Sequence, residues 1–295
     1  MPSIDQLLNK RQILIADGAW GTEFSKRGLE PGEAPEGWVI HQPDAVRGVA
    51  QSYVDAGAEI ILTDTFGGSR FKLAKCDLED KVEEINRRAV ELSQEAAGDD
   101  ALVFASIGPT GEFMQPLGLV SEDEMIAVFA EQAQGMVAGG TDGILVETMT
   151  DLGEAKAALQ AAKDAFDGPV VVSMTFDKGP KGYATMMGVT PERAAEELQA
   201  AGADIVGSNC GHGIENMIEV IELMRGATDL PLWAKPNAGM PQLVDGQTVF
   251  TQTPEETAAH FEALVEAGAH VIGGCCGTTP DHIRALVEAR DGLRS

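Results

Sequence analysis

Positive charge is scarce in this chain. Lysine and arginine number 21 against 47 aspartates and glutamates, for a formal net charge of −26. A surface of that sign repels phosphate backbones and anionic headgroups, so nucleic acid and membranes are excluded as expected partners. Long apolar runs are missing too. The opening MPSIDQLLNKRQ has no signal-peptide core, and nowhere does an apolar stretch reach the about 18 residues of a membrane span, so a cytoplasmic location is expected. Cysteine occurs only four times in 295 residues, as Cys76, Cys210, Cys275 and Cys276. In a reducing compartment so few thiols point to metal binding or catalysis rather than a disulfide framework. No Ser/Pro-rich linker interrupts the chain, so residues 1–295 read as one domain, large enough to build a core without staples.

What the chain does have is a repeated alternation. Eight short apolar runs stand out: ILIAD (13–17), IILTD (60–64), LVFAS (102–106), GILVE (143–147), VVVSM (170–174), DIVGS (204–208), PLWAK (231–235) and HVIGG (270–274). Runs this apolar suit parallel strands buried on both faces. Amphipathic segments separate them, at 44–56, 79–97, 121–138, 152–166, 191–201, 214–225, 254–267 and 280–290. Thr190, Thr253 and Thr279 each precede a proline, the signature of a capped helix start. Four helices run into AG or GG before the next strand, where glycine fits the position just past a helix end. Eight strand–helix units predict a single (β/α)8 TIM barrel. A doubly wound open sheet is the alternative, but no GxGxxG follows the first strand.

Barrel enzymes build their sites at the C-terminal ends of the strands. Those ends carry Asp17, Asp64 and Phe66, the SIGPTGE turn from Ser106, Glu147, Cys210, Lys235 with Asn237, and Cys275–Cys276. Strands six and eight are two steps apart, about 10 Å at about 4.8 Å per step, and curved loops can close that gap. Three converging thiolates describe a three-cysteine zinc site with one open position, formed by Cys210, Cys275 and Cys276. Neighbouring residues on a strand face opposite ways, so both Cys275 and Cys276 can ligate only if Gly273, Gly274 and Gly277 let the backbone turn. Cys76 has no partner and reads as a small buried hydrophobe; His212 reads as a loop histidine rather than a ligand. Three thiolates weaken the Lewis acidity of a bound metal, so the fourth ligand that suits it is a substrate thiol, deprotonated on binding. Alkyl transfer to a thiol is the chemistry expected.

DGAWGTEF, TDTFGGSRFKL, ASIGPTGE, ILVETMTDLGEAKAAL, SNCGHGIENM, KPNAGMP and GGCCGTTPDHIRAL, in order along nearly the whole chain, resemble the homocysteine S-methyltransferase family. That family includes the homocysteine domain of cobalamin-dependent methionine synthase and betaine–homocysteine methyltransferases. The resemblance implies that Cys210, Cys275 and Cys276 bind Zn2+ and that Asp17 and Glu147 hold the homocysteine amino group, with Gly18 and Ser106 also at the substrate. The backbone amides of the SIGPTG turn are expected to receive the substrate carboxylate. Asn237 is expected at the metal's fourth position when substrate is absent.

For the methyl donor, an onium compound (betaine-like or sulfonium) needs aromatic faces. Trp20 and Phe66 are the candidates for them, with Phe24 and Trp38 nearby in sequence. Gly67 stands where animal betaine enzymes carry tyrosine. The chain has no room for cobalamin, folate or reactivation domains, so the other donor is a separate methylcorrinoid protein, to which this chain presents homocysteine. A different class remains open, in which Lys235 forms a Schiff base as in barrel aldolases.

Overall fold

The computed structural model describes residues 13–244 and 247–293. The first twelve residues, read above for a signal peptide, lie outside them. Eight parallel strands follow one another around a sheet: β1 (Leu14–Ile15), β2 (Ile60–Ile61), β3 (Leu102–Ile107), β4 (Gly143–Met149), β5 (Val170–Met174), β6 (Ile205–Cys210), β7 (Leu232–Pro236) and β8 (Ala269–Ile272). Each pairs with its sequence neighbour, and β8 returns to β1. An Ala16–Ile60 bridge joins β1 to β2, so the sheet closes into the expected (β/α)8 barrel. Eight helical layers surround it: α1 (Pro43–Asp55), α2 (Val82–Ala97), α3 (Glu122–Ala138), α4 (Leu152–Ala165), α5 (Pro191–Ala200), α6 (Ile214–Arg225), α7 in two pieces (Pro254–Ala259 and Phe261–Glu266) and α8 (Pro280–Leu293).

Local signals explain these boundaries. Thr190 and Thr253 accept hydrogen bonds from the amides three residues on, and Thr253 closes a reciprocal box with Glu256. Thr279 instead shares its hydroxyl with His282 Nδ1 (3.0 Å). Gly57, Gly140, Gly202 and Gly268 all have positive φ just past α1, α3, α5 and α7, the conformation that stops a helix most easily at glycine. Strands β1 and β2 are shorter than their apolar runs. The Asp17 carboxylate takes the Leu62 amide (2.7 Å), so a side chain replaces the ladder there.

Alternate residues on each strand enter two cores. Ile15, Val103, Val146 and Val172 face the helices, while Leu14, Phe104, Leu145, Val171 and Trp233 fill the barrel. Inside, the Phe104 and Trp233 rings stack at 6.1 Å and 16°. Gly143 and Gly207 leave room for them. A Cβ on Gly143 would meet the Phe104 ring at 2.5 Å, and one on Gly207 would meet the Trp233 carbonyl oxygen at 2.0 Å. That oxygen belongs to the paired strand and cannot rotate away. Gly207→Ala is therefore expected to destabilise the protein by about 1–3 kcal/mol or more, measured by urea unfolding.

Candidate metal and substrate site

Backbone pairing carries β7 and β8 past their formal ends. Gly273 donates to Ala234 O (3.0 Å), Cys275 to Pro236 O (2.8 Å), and Ala238 returns a bond to Cys276 O (2.9 Å). The chain then folds back as Thr278 donates to Cys275 O through both its amide (3.1 Å) and its hydroxyl (2.6 Å). The three glycines divide this work. Gly277 alone takes a left-handed φ (81°). Gly273 and Gly274 instead permit close approach, since added Cβ atoms would lie 2.7 Å from Asp17 O and 2.4 Å from Thr278 Oγ1. On the other side of β7 Cys210 ends β6 with φ 67°, a conformation rare outside glycine.

These turns bring the Sγ atoms of Cys210, Cys275 and Cys276 within 4.8 Å of one another, the one such His/Cys/Asp/Glu cluster among the described residues. Hydrogen bonds from Cys275 and Cys276 hold Cys210 down at about 3, and the same bonds push Cys275 up to about 11 and Cys276 higher still. Three sulfurs so close together compete for protons, and a divalent cation replacing those protons would relieve the arrangement. Asn237 Nδ2 donates to Gly211 O (2.7 Å), while its Oδ1 is buried without a partner among the described residues. Three thiols and an orphaned amide oxygen at a barrel mouth fit a thiophilic metal such as zinc. His212 faces Asp177 (3.2 Å) instead. Cys76 is exposed in a short 3-10 turn, correcting its reading as a buried hydrophobe.

Beside the sulfurs lies a buried charge cluster. Asp17 Oδ1 accepts from Lys235 Nζ (2.5 Å), and Oδ2 accepts from Trp20 Nε1 and the Leu62 amide (2.7 Å each). Burial alone lowers the Lys235 ammonium, but Asp17 and Glu147 outweigh it and keep it above the ordinary lysine range. Lys235 is thereby engaged as the buried counter-ion of Asp17. Glu147 receives the Ser106 hydroxyl, and burial pushes its carboxyl up to about 7 against the opposing pull of Lys235. Asp17 thus accepts three bonds from the chain itself and Glu147 one, and both carboxylates keep acceptor capacity.

Other sequence-derived candidates fall differently. Gly18 is buried where a Cβ would lie 2.9 Å from both Tyr53 and Thr278, which gives it a packing role. Three amides of the SIGPTG turn already have partners within the chain. Ser106 N–H bonds Thr63 Oγ1, Gly108 bonds Phe66 O, and Thr110 bonds Glu154 Oε1. Phe24 and Trp38 are core residues, whereas Phe66 lies over Gly108 with 39% of its surface exposed. A Cβ at Gly67 would approach Glu36 Oε1 to 2.6 Å, so a side chain there would have to displace the Glu36 carboxylate that accepts from the Gly67 amide. Sequence reasoning missed Glu36, whose burial beside Asp64 raises both carboxyls, and Asn209, which carries no spacing signal beyond preceding Cys210.

Fold and site define a (β/α)8 enzyme with a three-cysteine centre at its mouth. The chain belongs to the homocysteine S-methyltransferase family, whose model matches residues 14–290. It is 30% identical over 299 aligned residues to a methionine synthase of Mycobacterium leprae, covering 95% of this chain and 24% of that protein. The counterpart from Mycobacterium tuberculosis is 29% identical, with 95% and 25% covered. This chain thus spans about a quarter of those relatives. The homocysteine methyltransferase MmuM from Escherichia coli shares the fold: its metallated form superposes with a TM-score of 0.80 at 24% identity, over 98% of each chain. No helix among the described residues is long and apolar enough to cross a membrane.

The buried ion pair yields a stability prediction. Asp17→Ala strands the Lys235 charge and is expected to cost about 3–5 kcal/mol. Adding Lys235→Met to it should recover most of that loss, read by thermal or urea unfolding of the single and double variants.

Proposed function

We propose that this protein transfers a methyl group to homocysteine, giving methionine, with zinc held by Cys210, Cys275 and Cys276. The observation that carries this reading is the convergence of those three sulfurs at the mouth. Zinc bound there supplies the Lewis acidity that keeps a substrate thiol deprotonated at neutral pH. Glu147 accepts the substrate ammonium through a charge-assisted hydrogen bond. Asp17, expected to share that task, is also the counter-ion that holds Lys235 and so balances the charge around Glu147. Asn237 offers its buried oxygen to the centre when no substrate thiol is present. In the transfer, a C–S bond forms between substrate sulfur and methyl carbon, and the bond from methyl to donor breaks with its electron pair on the donor. A centre made of thiols needs reducing surroundings, which supports a cytoplasmic location.

A small onium donor is the first reading, with the exposed Phe66 and the half-buried Trp20 as its aromatic faces. The Trp20 indole is tied to Asp17, which leaves only its ring for a cation. A separate methylcorrinoid protein is the second. Exposed apolar side chains on the loops after β3, β5 and β7, among them Leu119 (92% exposed), Met186 and Met240, favour contact with a bulky partner.

Incubating zinc-loaded protein with homocysteine and each donor in turn should yield methionine with one of them. Cys210→Ala, Cys275→Ala and Cys276→Ala should each abolish zinc retention and turnover while the barrel stays folded; full activity in any one would refute the site. The Glu147 carboxyl ionises around pH 7, so the KM for homocysteine should fall as pH rises from 6 to 8. Glu147→Gln should raise KM and flatten that profile. The effect on stability has the opposite sign. Because the folded carboxyl titrates above the usual 4.5, the stabilisation by its neutral form is full at low pH and is lost as pH rises through about 7.

A further inference from the structure

Asn209 lies on β6 immediately before Cys210 and is fully buried. A carboxamide has two acceptor lone pairs and two N–H donors, and Asn209 uses all four. Its Oδ1 accepts from the Thr148 amide (2.8 Å) and the Ser173 hydroxyl (2.7 Å). Its Nδ2 donates to Thr148 Oγ1 (2.7 Å) and to Cys275 Sγ (3.7 Å).

The orientation of this amide is not a free choice. The Thr148 backbone N–H can only donate, so it must face oxygen, and a flipped amide would set two donors against each other. Fixing Oδ1 on Thr148 leaves Nδ2 pointing at the Cys275 sulfur. The partners belong to different functions. Cys275 is one of the three clustered sulfurs. Thr148 follows Glu147 and stands at φ 61°, a strained conformation for a β-branched residue that needs outside support. Asn209 grips it by backbone and side chain together.

We propose that Asn209 is a positioning residue that limits the electron donation of Cys275 to the metal and, through Thr148, fixes Glu147 in register with the three sulfurs. The inference rests on the reading that Cys210, Cys275 and Cys276 hold a metal. An N–H···S bond draws charge from a thiolate, so the bound metal keeps more of its positive character for a fourth ligand. Groups that orient metal ligands from behind commonly carry about 10–100-fold of metal affinity. Ser173, in the middle of β5, anchors the other end of the same amide and stops it rotating off the sulfur.

Cobalt(II) is the probe, since its sulfur-to-metal charge-transfer absorption reports thiolate donation without turnover. Asn209→Asp keeps the shape and the acceptor for Thr148 but turns a carboxylate oxygen toward Cys275. It should bind cobalt about 10–100-fold more weakly in chelator competition and move the charge-transfer band to lower energy. Asn209→Ser withdraws the donor without adding charge, should move the band the same way by less, and serves if the aspartate variant does not fold. Thr148→Val removes only the hydroxyl partner and should leave the band in place while raising the KM for homocysteine. Wild-type affinity and band position in a folded Asn209 variant would overturn the inference, as would an equal band shift in Thr148→Val. Failure of the wild-type protein to bind cobalt would overturn the metal reading and this inference together.

Discussion

The buried pair of Asp17 and Lys235 is the interaction on which the mouth of this barrel depends. Each charge alone would be costly in an interior of low dielectric, and together they compensate. The pair also shapes the backbone around it. Asp17 ends the ladder of β2 by taking the Leu62 amide and ties down Trp20 at the start of the first loop, and Lys235 reaches it from β7. Strands from opposite sides of the closure are thereby fastened at the level where the cysteines and Glu147 sit. Removing the pair would disturb the seam of the barrel and the charge around the site at once.

Much of this was legible in the chain itself. Strand and helix positions followed from apolar runs and caps because barrel strands are buried on both faces and their helices need clear starts and stops. The convergence of Cys210 with Cys275 and Cys276 was legible because strand order places β6 and β8 on either side of β7. What the sequence hid was partner choice. Asp17 and Glu147 are both carboxylates at strand ends, and nothing in their local pattern says that one already accepts from Lys235, Trp20 and Leu62 while the other accepts from the Ser106 hydroxyl. The SIGPTG turn shows the same: its glycines promise open amides, but nothing in its sequence says that side chains distant along the chain, Thr63 and Glu154, take those of Ser106 and Thr110. Lys235 shows the converse. A lysine at a strand end fits a nucleophile or a counter-ion equally well until its neighbours are known.

Glycine carries two meanings in this fold, and only one of them is conformational. Past the helices, and at Gly277, it supplies a left-handed turn. At Gly143, Gly207, Gly273 and Gly274 it supplies absence of volume, letting an aromatic ring, a carbonyl or a threonine come within contact distance. The two cannot be told apart in a sequence, since both are written as the same letter beside a strand.

The stacked rings of Phe104 and Trp233 have a consequence for traffic. They fill the barrel below the cysteines, so the interior is plugged and only the mouth leads to the site. Anything that reaches the three sulfurs must come and go by that one opening.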